Sequence, residues 1–96
     1  MAAYLFVTIK AHDLAWADGY QANVPAIVQR HGGKFLAISD RVKRLEGNGP
    51  NPDRAALMMF PSMDAVEAFV ADADYAPYRA ARLAASVGDA FAFAAS

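Results

Sequence analysis

Apolar positions follow two rhythms along the chain. Residues 4–10, YLFVTIK, contain no Gly or Pro and are rich in β-branched and aromatic side chains, which predicts a strand. Alternation sets Leu5, Val7 and Ile9 on one face and Tyr4, Phe6, Thr8 and Lys10 on the other. Both faces are largely apolar, so the strand is sandwiched rather than half exposed. Asp13 fits an N-cap, and Trp16, Tyr20, Val24, Ile27 and His31 follow at helical spacing, predicting a first helix over 14–30. Gly19 weakens that helix, Pro25 predicts a kink near Asn23–Pro25, and Gly32-Gly33 supplies the stop. Residues 34–40, KFLAISD, read as a second strand with room to continue to Glu46 past a bulge or bend at Ser39-Asp40. The run 47–53, GNGPNPD, is the strongest turn signal in the chain, and RAALMMF at 54–60 is a third strand that pairs with the second as an antiparallel hairpin.

Ser62 then caps a second helix with Asp64 in its first turn and Val66, Phe69 and Val70 on its buried face. Around Asp72–Asp74 that helix breaks, and a new cap at Asp74 puts Pro77 in a first turn, where a missing N–H costs little. Tyr75, Tyr78 and Arg82 share one face of this segment, Gly88-Asp89 ends it, and AFAFAAS at 90–96 is the last strand. The order β-α-β-β-α-β is the ferredoxin-like plan: one α+β domain over residues 1–96, a four-stranded antiparallel sheet with its helices on one face.

Composition sharpens this picture. The chain has 96 residues, and 23 of its apolar residues are Ala, so the core rests on the remaining 31 Val, Ile, Leu, Met, Phe, Trp and Tyr. Helices cover only one face of such a sheet, yet strands 1 and 3 carry large apolar residues on both. A second copy stacked sheet to sheet is the simplest cover, which predicts a homodimer. A net charge of −1 without a basic block argues against nucleic acid and membrane surfaces as partners. RAALMMF also lacks the basic-aromatic pattern that RNA-binding versions of this plan carry on strand 3. The absence of Cys removes disulfides, thiolate metal sites and cysteine nucleophiles. Without a signal-peptide pattern or an apolar run long enough to span a membrane, the expected location is the cytoplasm.

Several short motifs occur in a telling order: Gly32-Gly33 before a strand, Leu45-Glu46-Gly47 before the hairpin loop, Phe60-Pro61-Ser62 opening helix 2, then Asp74-Tyr75 and Arg82. Together they resemble the family catalogued as domain of unknown function 1330, over nearly the whole chain. The resemblance implies the dimeric α+β barrel superfamily, in which two sheets pack into a barrel with a pocket in each subunit. Its members include cofactor-independent monooxygenases acting on quinols, haem-degrading enzymes and proteins with no known reaction. Two positions depart from the family pattern. Met59 stands where an acidic residue often precedes Phe-Pro-Ser, and Asp72-Ala73-Asp74-Tyr75 replaces Ser-Pro-Glu-Tyr.

Candidate chemistry is sparse. His12 and His31 are the only imidazoles and have no ligand-like spacing, so neither a metal nor any other cofactor is expected, and His31 reads more simply as a helix C-terminal cap. Glu46 and Arg54 flank the hairpin, and Arg82 precedes the last strand. One reading pairs Glu46 with an arginine at a pocket mouth, while the simpler one is a structural ion pair. Trp16 and Tyr20 read as core. A ligand pocket is expected between the sheet and the helices or at the dimer seam, lined by Phe6, Thr8, Met58 and Phe60, with Tyr75 or Arg82 at its rim. A one-residue register error would substitute Leu57 and Met59. Two functions follow: a homodimeric small-molecule-binding or accessory protein taking a small apolar or aromatic ligand, or a cofactor-independent monooxygenase or isomerase acting on a small aromatic or quinol-like substrate.

Overall fold

The computed structural model of the protein describes residues 1–95. Strand β1 (Ala3–Ala11) lies at the centre of a four-stranded antiparallel sheet of order β2-β3-β1-β4, with β2 at Lys34–Ser39, β3 at Arg54–Phe60 and β4 at Ser86–Ala94. Three helices, α1 (Ala17–Arg30), α2 (Met63–Val70) and α3 (Ala76–Ala85), complete the ferredoxin-like α+β fold. The break expected near Asp72–Asp74 separates α2 from α3.

The core forms where β1 and β3 meet the helices. Ala3, Leu5 and Val7 of β1 and Met58 and Phe60 of β3 are buried against Val24, Ile27 and Val28 of α1 and Val66 and Phe69 of α2. The Phe69 ring stacks on Tyr75 at 4.3 Å and packs on Phe60 at 5.5 Å between centroids. The opposite face of the sheet has no helix over it. There Tyr4 stacks on Phe93 at 5.4 Å, and Phe6, Phe91 and Phe93 are 38%, 61% and 56% exposed.

Local signals explain the element ends. The Ser62 hydroxyl accepts a hydrogen bond from the Ala65 amide at 3.1 Å, the expected cap of α2. After α1, the Gly33 amide donates to the Val28 carbonyl and the Gly32 amide to that of Gln29, both at 2.9 Å. Gly32 takes φ +78° to close this Schellman-type stop, a conformation costly for a residue with a Cβ.

Four expectations are corrected. Asp13 does not cap α1; its carboxylate accepts from Ala15 and closes the preceding turn, and the helix begins after Trp16. Helix α1 is continuous through Pro25, which leaves one intrahelical bond unmade. Strand β2 ends at Ser39, and its bulge falls between Phe35 and Ala37 rather than at Ser39-Asp40. Helix α3 begins after Tyr75 rather than Asp74, with Pro77 in its first turn as expected. Gly88-Asp89 is not a stop: β4 starts at Ser86 and runs through it. A Cβ on Gly88 would overlap the Thr8 carbonyl, so this glycine marks a close approach of two strands.

Candidate functional site

Register decides which side chains share a face. Leu5 pairs with Met58 and Ala3 with Phe60, whereas Phe6 pairs with Leu57 and Tyr4 with Met59. Met58 and Phe60 therefore lie in the core under the helices, and Phe6 and Thr8 lie on the open face. The expectation that these four line one pocket is corrected: the open-face neighbours of Phe6 and Tyr4 on β3 are Leu57 and Met59.

The structure thus divides the expected site residues into two groups. Phe6, Thr8 and Glu46 come together with Arg44, Asp89 and Phe91 around a shallow recess of ≈250 Å³, where the loop after β2 folds over the end of the open face. Thr8 Oγ1 accepts a hydrogen bond from the Asp89 amide at 3.2 Å there. Glu46 makes no ion pair with Arg54 or Arg82; among the described residues, ion pairs join only Arg30 to Asp72 and Asp74, and His31 to Asp72. The second group, Met58, Phe60, Tyr75 and Arg82, is buried on the helix side.

Within that second group a polar cluster crosses the core. The Tyr20 hydroxyl, from α1, lies 2.8 Å from the Tyr75 hydroxyl at the start of α3. Burial, reinforced by Tyr75, pushes the Tyr20 phenol well above the ordinary tyrosine pKa, while the Arg82 guanidinium pulls against that rise. Tyr20 is therefore held protonated, a hydrogen-bond donor and a poor base. Arg82 is only 8% exposed, and its Nε is the one buried side-chain polar atom without a partner among the described residues.

Tyr20 also faces a cavity of ≈370 Å³ between α1 and the β2–β3 edge of the sheet. Trp16, Tyr20, Gln21 and Pro25 form the helical wall, Phe35 and Ile38 the β2 wall, and Arg54 is the only charged side chain in the lining among the described residues. Trp16 and Tyr20 meet edge to face at 5.4 Å, so the pair read as core in the sequence also walls this space. Ala56 opens the room, because it is the small side chain that β3 turns to the helix side between Arg54 and Met58. An alanine two residues from Arg54, on the same face of the strand, was the sequence signal for the cavity. It went unused because Trp16, Tyr20 and Phe35 look like ordinary core.

At the far end of α1, His31 Nε2 lies 2.7 Å from Asp72 Oδ2, and Arg30 reaches the same carboxylate at 2.8 Å. The hydrogen bond from His31, with the Asp74 amide and Arg30 behind it, lowers the Asp72 pKa to about 2. This cluster joins α1 to the α2–α3 corner, and no three metal-ligating side chains converge there or elsewhere among the described residues.

Comparison with known proteins supplies the family. The model of the family described as domain of unknown function (DUF1330) matches residues 2–95. The chain belongs to the DUF1330 family. Solved structures with the same fold include the cofactor-independent oxygenase SnoaB from Streptomyces nogalater, at TM-score 0.68 and 20% identity over 99% of this chain and 93% of that one. RPA0582, of unknown function from Rhodopseudomonas palustris, gives TM-score 0.72 and 17% identity over 96% and 78%. A dimeric ferredoxin-like protein of unknown function from Bacteroides fragilis gives 0.61 and 13% over 96% and 94%. At these identities the likeness of this DUF1330 chain to them is one of fold. No curated protein matches the sequence. Among the described residues no helix is long and apolar enough to cross a membrane.

Proposed function

We propose that this DUF1330 protein is a homodimer that pairs through its open sheet face and holds a small apolar or aromatic ligand in the cavity beneath α1. The observation that carries the ligand reading is the lining itself: aromatic and aliphatic walls, the Gln21 carboxamide, one guanidinium and, among the described residues, no carboxylate or imidazole. Such a space holds an apolar molecule but offers no group to remove a proton at neutral pH, which favours binding over catalysis. The pairing reading rests on Phe6, Phe91 and Phe93, whose rings stand in water in a single chain. It is supported by the B. fragilis protein of the same fold, which is described as dimeric.

A melting-temperature screen of aromatic acids, quinols and neutral arenes tests the ligand reading, and light scattering after size exclusion tests the pairing. The expected results are a raised melting temperature with aromatic compounds and twice the 10.3 kDa chain mass. A 10.3 kDa species at micromolar concentration, or no shift with any compound class, overturns the corresponding half.

A cofactor-independent oxygenase or isomerase is the second reading, favoured by Tyr20, which lines the cavity and is backed in the core by Tyr75 and Arg82. Oxygen uptake with a dihydroxynaphthalene, lost in Tyr20→Phe, would move the assignment to that class.

A further inference from the structure

Among the described residues Arg54 is a cation without a counter-ion. It opens β3 opposite Ile9, its side chain lines the cavity on the helix side of the sheet, and it is partly withdrawn from water. No carboxylate lies within ion-pair distance of it, and its guanidinium makes no hydrogen bond among the described residues. The adjacent acid, Asp53, is committed elsewhere, its two carboxylate oxygens 3.2 and 3.4 Å from the Ala11 amide. A guanidinium presents a planar fork of donors that matches a carboxylate in bidentate fashion, and the match strengthens where water is partly excluded.

The rest of the lining fixes the body of the ligand. Trp16 and Tyr20 present aromatic surfaces from α1, Phe35 presents one from β2, and the intervening floor is alanine. Flat aromatic walls with a small-residue floor suit a planar ring system better than a branched aliphatic one. At ≈370 Å³ the space is near the small end of ligand cavities, roughly 300–1,000 Å³, which suits one or two fused rings.

We propose that the cavity takes a planar aromatic acid, its rings between Trp16, Tyr20 and Phe35 and its carboxylate paired with Arg54. This rests on the reading of the cavity as a ligand site and narrows it to an anionic class. Calorimetric titration with 2-naphthoate and with its neutral isostere 2-naphthamide separates the two levels. The expected result is at least tenfold tighter binding of the acid to the native protein. In Arg54→Gln that preference falls to about one while the amide binds as before. Ile38→Glu, at an exposed position of the same lining, sets a carboxylate beside the site and abolishes the preference with Arg54 still in place. Equal binding of acid and amide to the native protein, or a preference that survives Arg54→Gln, overturns the anionic class and leaves the ligand site standing. Binding of neither compound, with no neutral arene binding in their place, overturns the ligand site and the proposal with it.

Discussion

Leu5 and Phe6 are neighbours on one strand, and their surroundings differ as much as any two in the molecule. Leu5 is buried in a core closed by Phe60, Phe69 and Val24, whereas Phe6 faces away from the helices beside Phe91, with only the loop after β2 reaching over its edge. Both faces of the sheet are apolar at this point, so hydrophobicity does not distinguish them. The difference lies in what the chain itself can cover. Helices fold back on one face only, and the polar groups collect there too: Tyr20, Tyr75 and Arg82 occupy the covered side, with the cavity beside them. The covered face is an interior completed within one chain, and the open face is apolar with no helix over it.

The largest expected effect separates the two faces by stability. Phe69→Ala removes a fully buried ring that packs on both Phe60 and Tyr75, and should lower unfolding stability by about 3–5 kcal/mol at any protein concentration. Urea unfolding at two concentrations a hundredfold apart measures it. The paired change Phe6→Asp with Phe91→Asp should instead act through association, leaving the far-UV circular dichroism intact and giving the single-chain mass by light scattering. A double variant that stays dimeric would move the pairing to another surface.

A smaller effect tests whether the polar cluster belongs to the covered interior. Tyr20→Phe leaves the buried Tyr75 hydroxyl without its 2.8 Å partner, and a loss of about 1–3 kcal/mol is expected. The sign at high pH follows from the raised Tyr20 pKa. The unfolded chain releases this proton near pH 10 while the folded chain retains it, so folding weakens as pH rises above that value. Tyr20→Phe removes this contribution, and the difference between native and variant melting temperatures should shrink from pH 9 to pH 11.

These two faces also mark how far the sequence could be read. Periodicity and turn residues located all four strands and the hairpin, since a two-residue and a 3.6-residue rhythm are local properties of YLFVTIK or MDAVEAFV. Which face RAALMMF presents to the helices is not local: alternation allows either Leu57 and Met59 or Met58 and Phe60, and only the pairing of Leu5 with Met58 decides. That parity misassigned half of the expected pocket. The Tyr20–Tyr75 contact joins residues 55 apart, and Glu46 near Arg54 in sequence faces a different recess, so neither the buried pair nor the absent one could be read from spacing. Gly88 was misread for a physical reason as well, because a glycine required by strand contact carries the same letter as one that ends a helix.

The smallest expected effect lies at the rim of the covered face, where Asp72 links the end of α1 to the α2–α3 corner. Its carboxylate accepts from His31 and Arg30, and the Asp74 amide is 2.8 Å from its other oxygen. These contacts hold its pKa at about 2, below the ordinary value of 3.8. A carboxylate whose pKa is lower folded than unfolded stabilises the fold while ionised, and that contribution is complete above the unfolded value. As pH falls from 4 to 2 the unfolded chain gains the proton first, and the stabilisation disappears. Asp72→Asn lacks it throughout, so the melting-temperature gap between native protein and variant should close between pH 4 and 2. The open face has no part in this clamp, so the gap should be the same in the Phe6→Asp, Phe91→Asp background. A gap that changed with that background would mean that α1 and the α2–α3 corner are held together by the second chain as well as by Asp72.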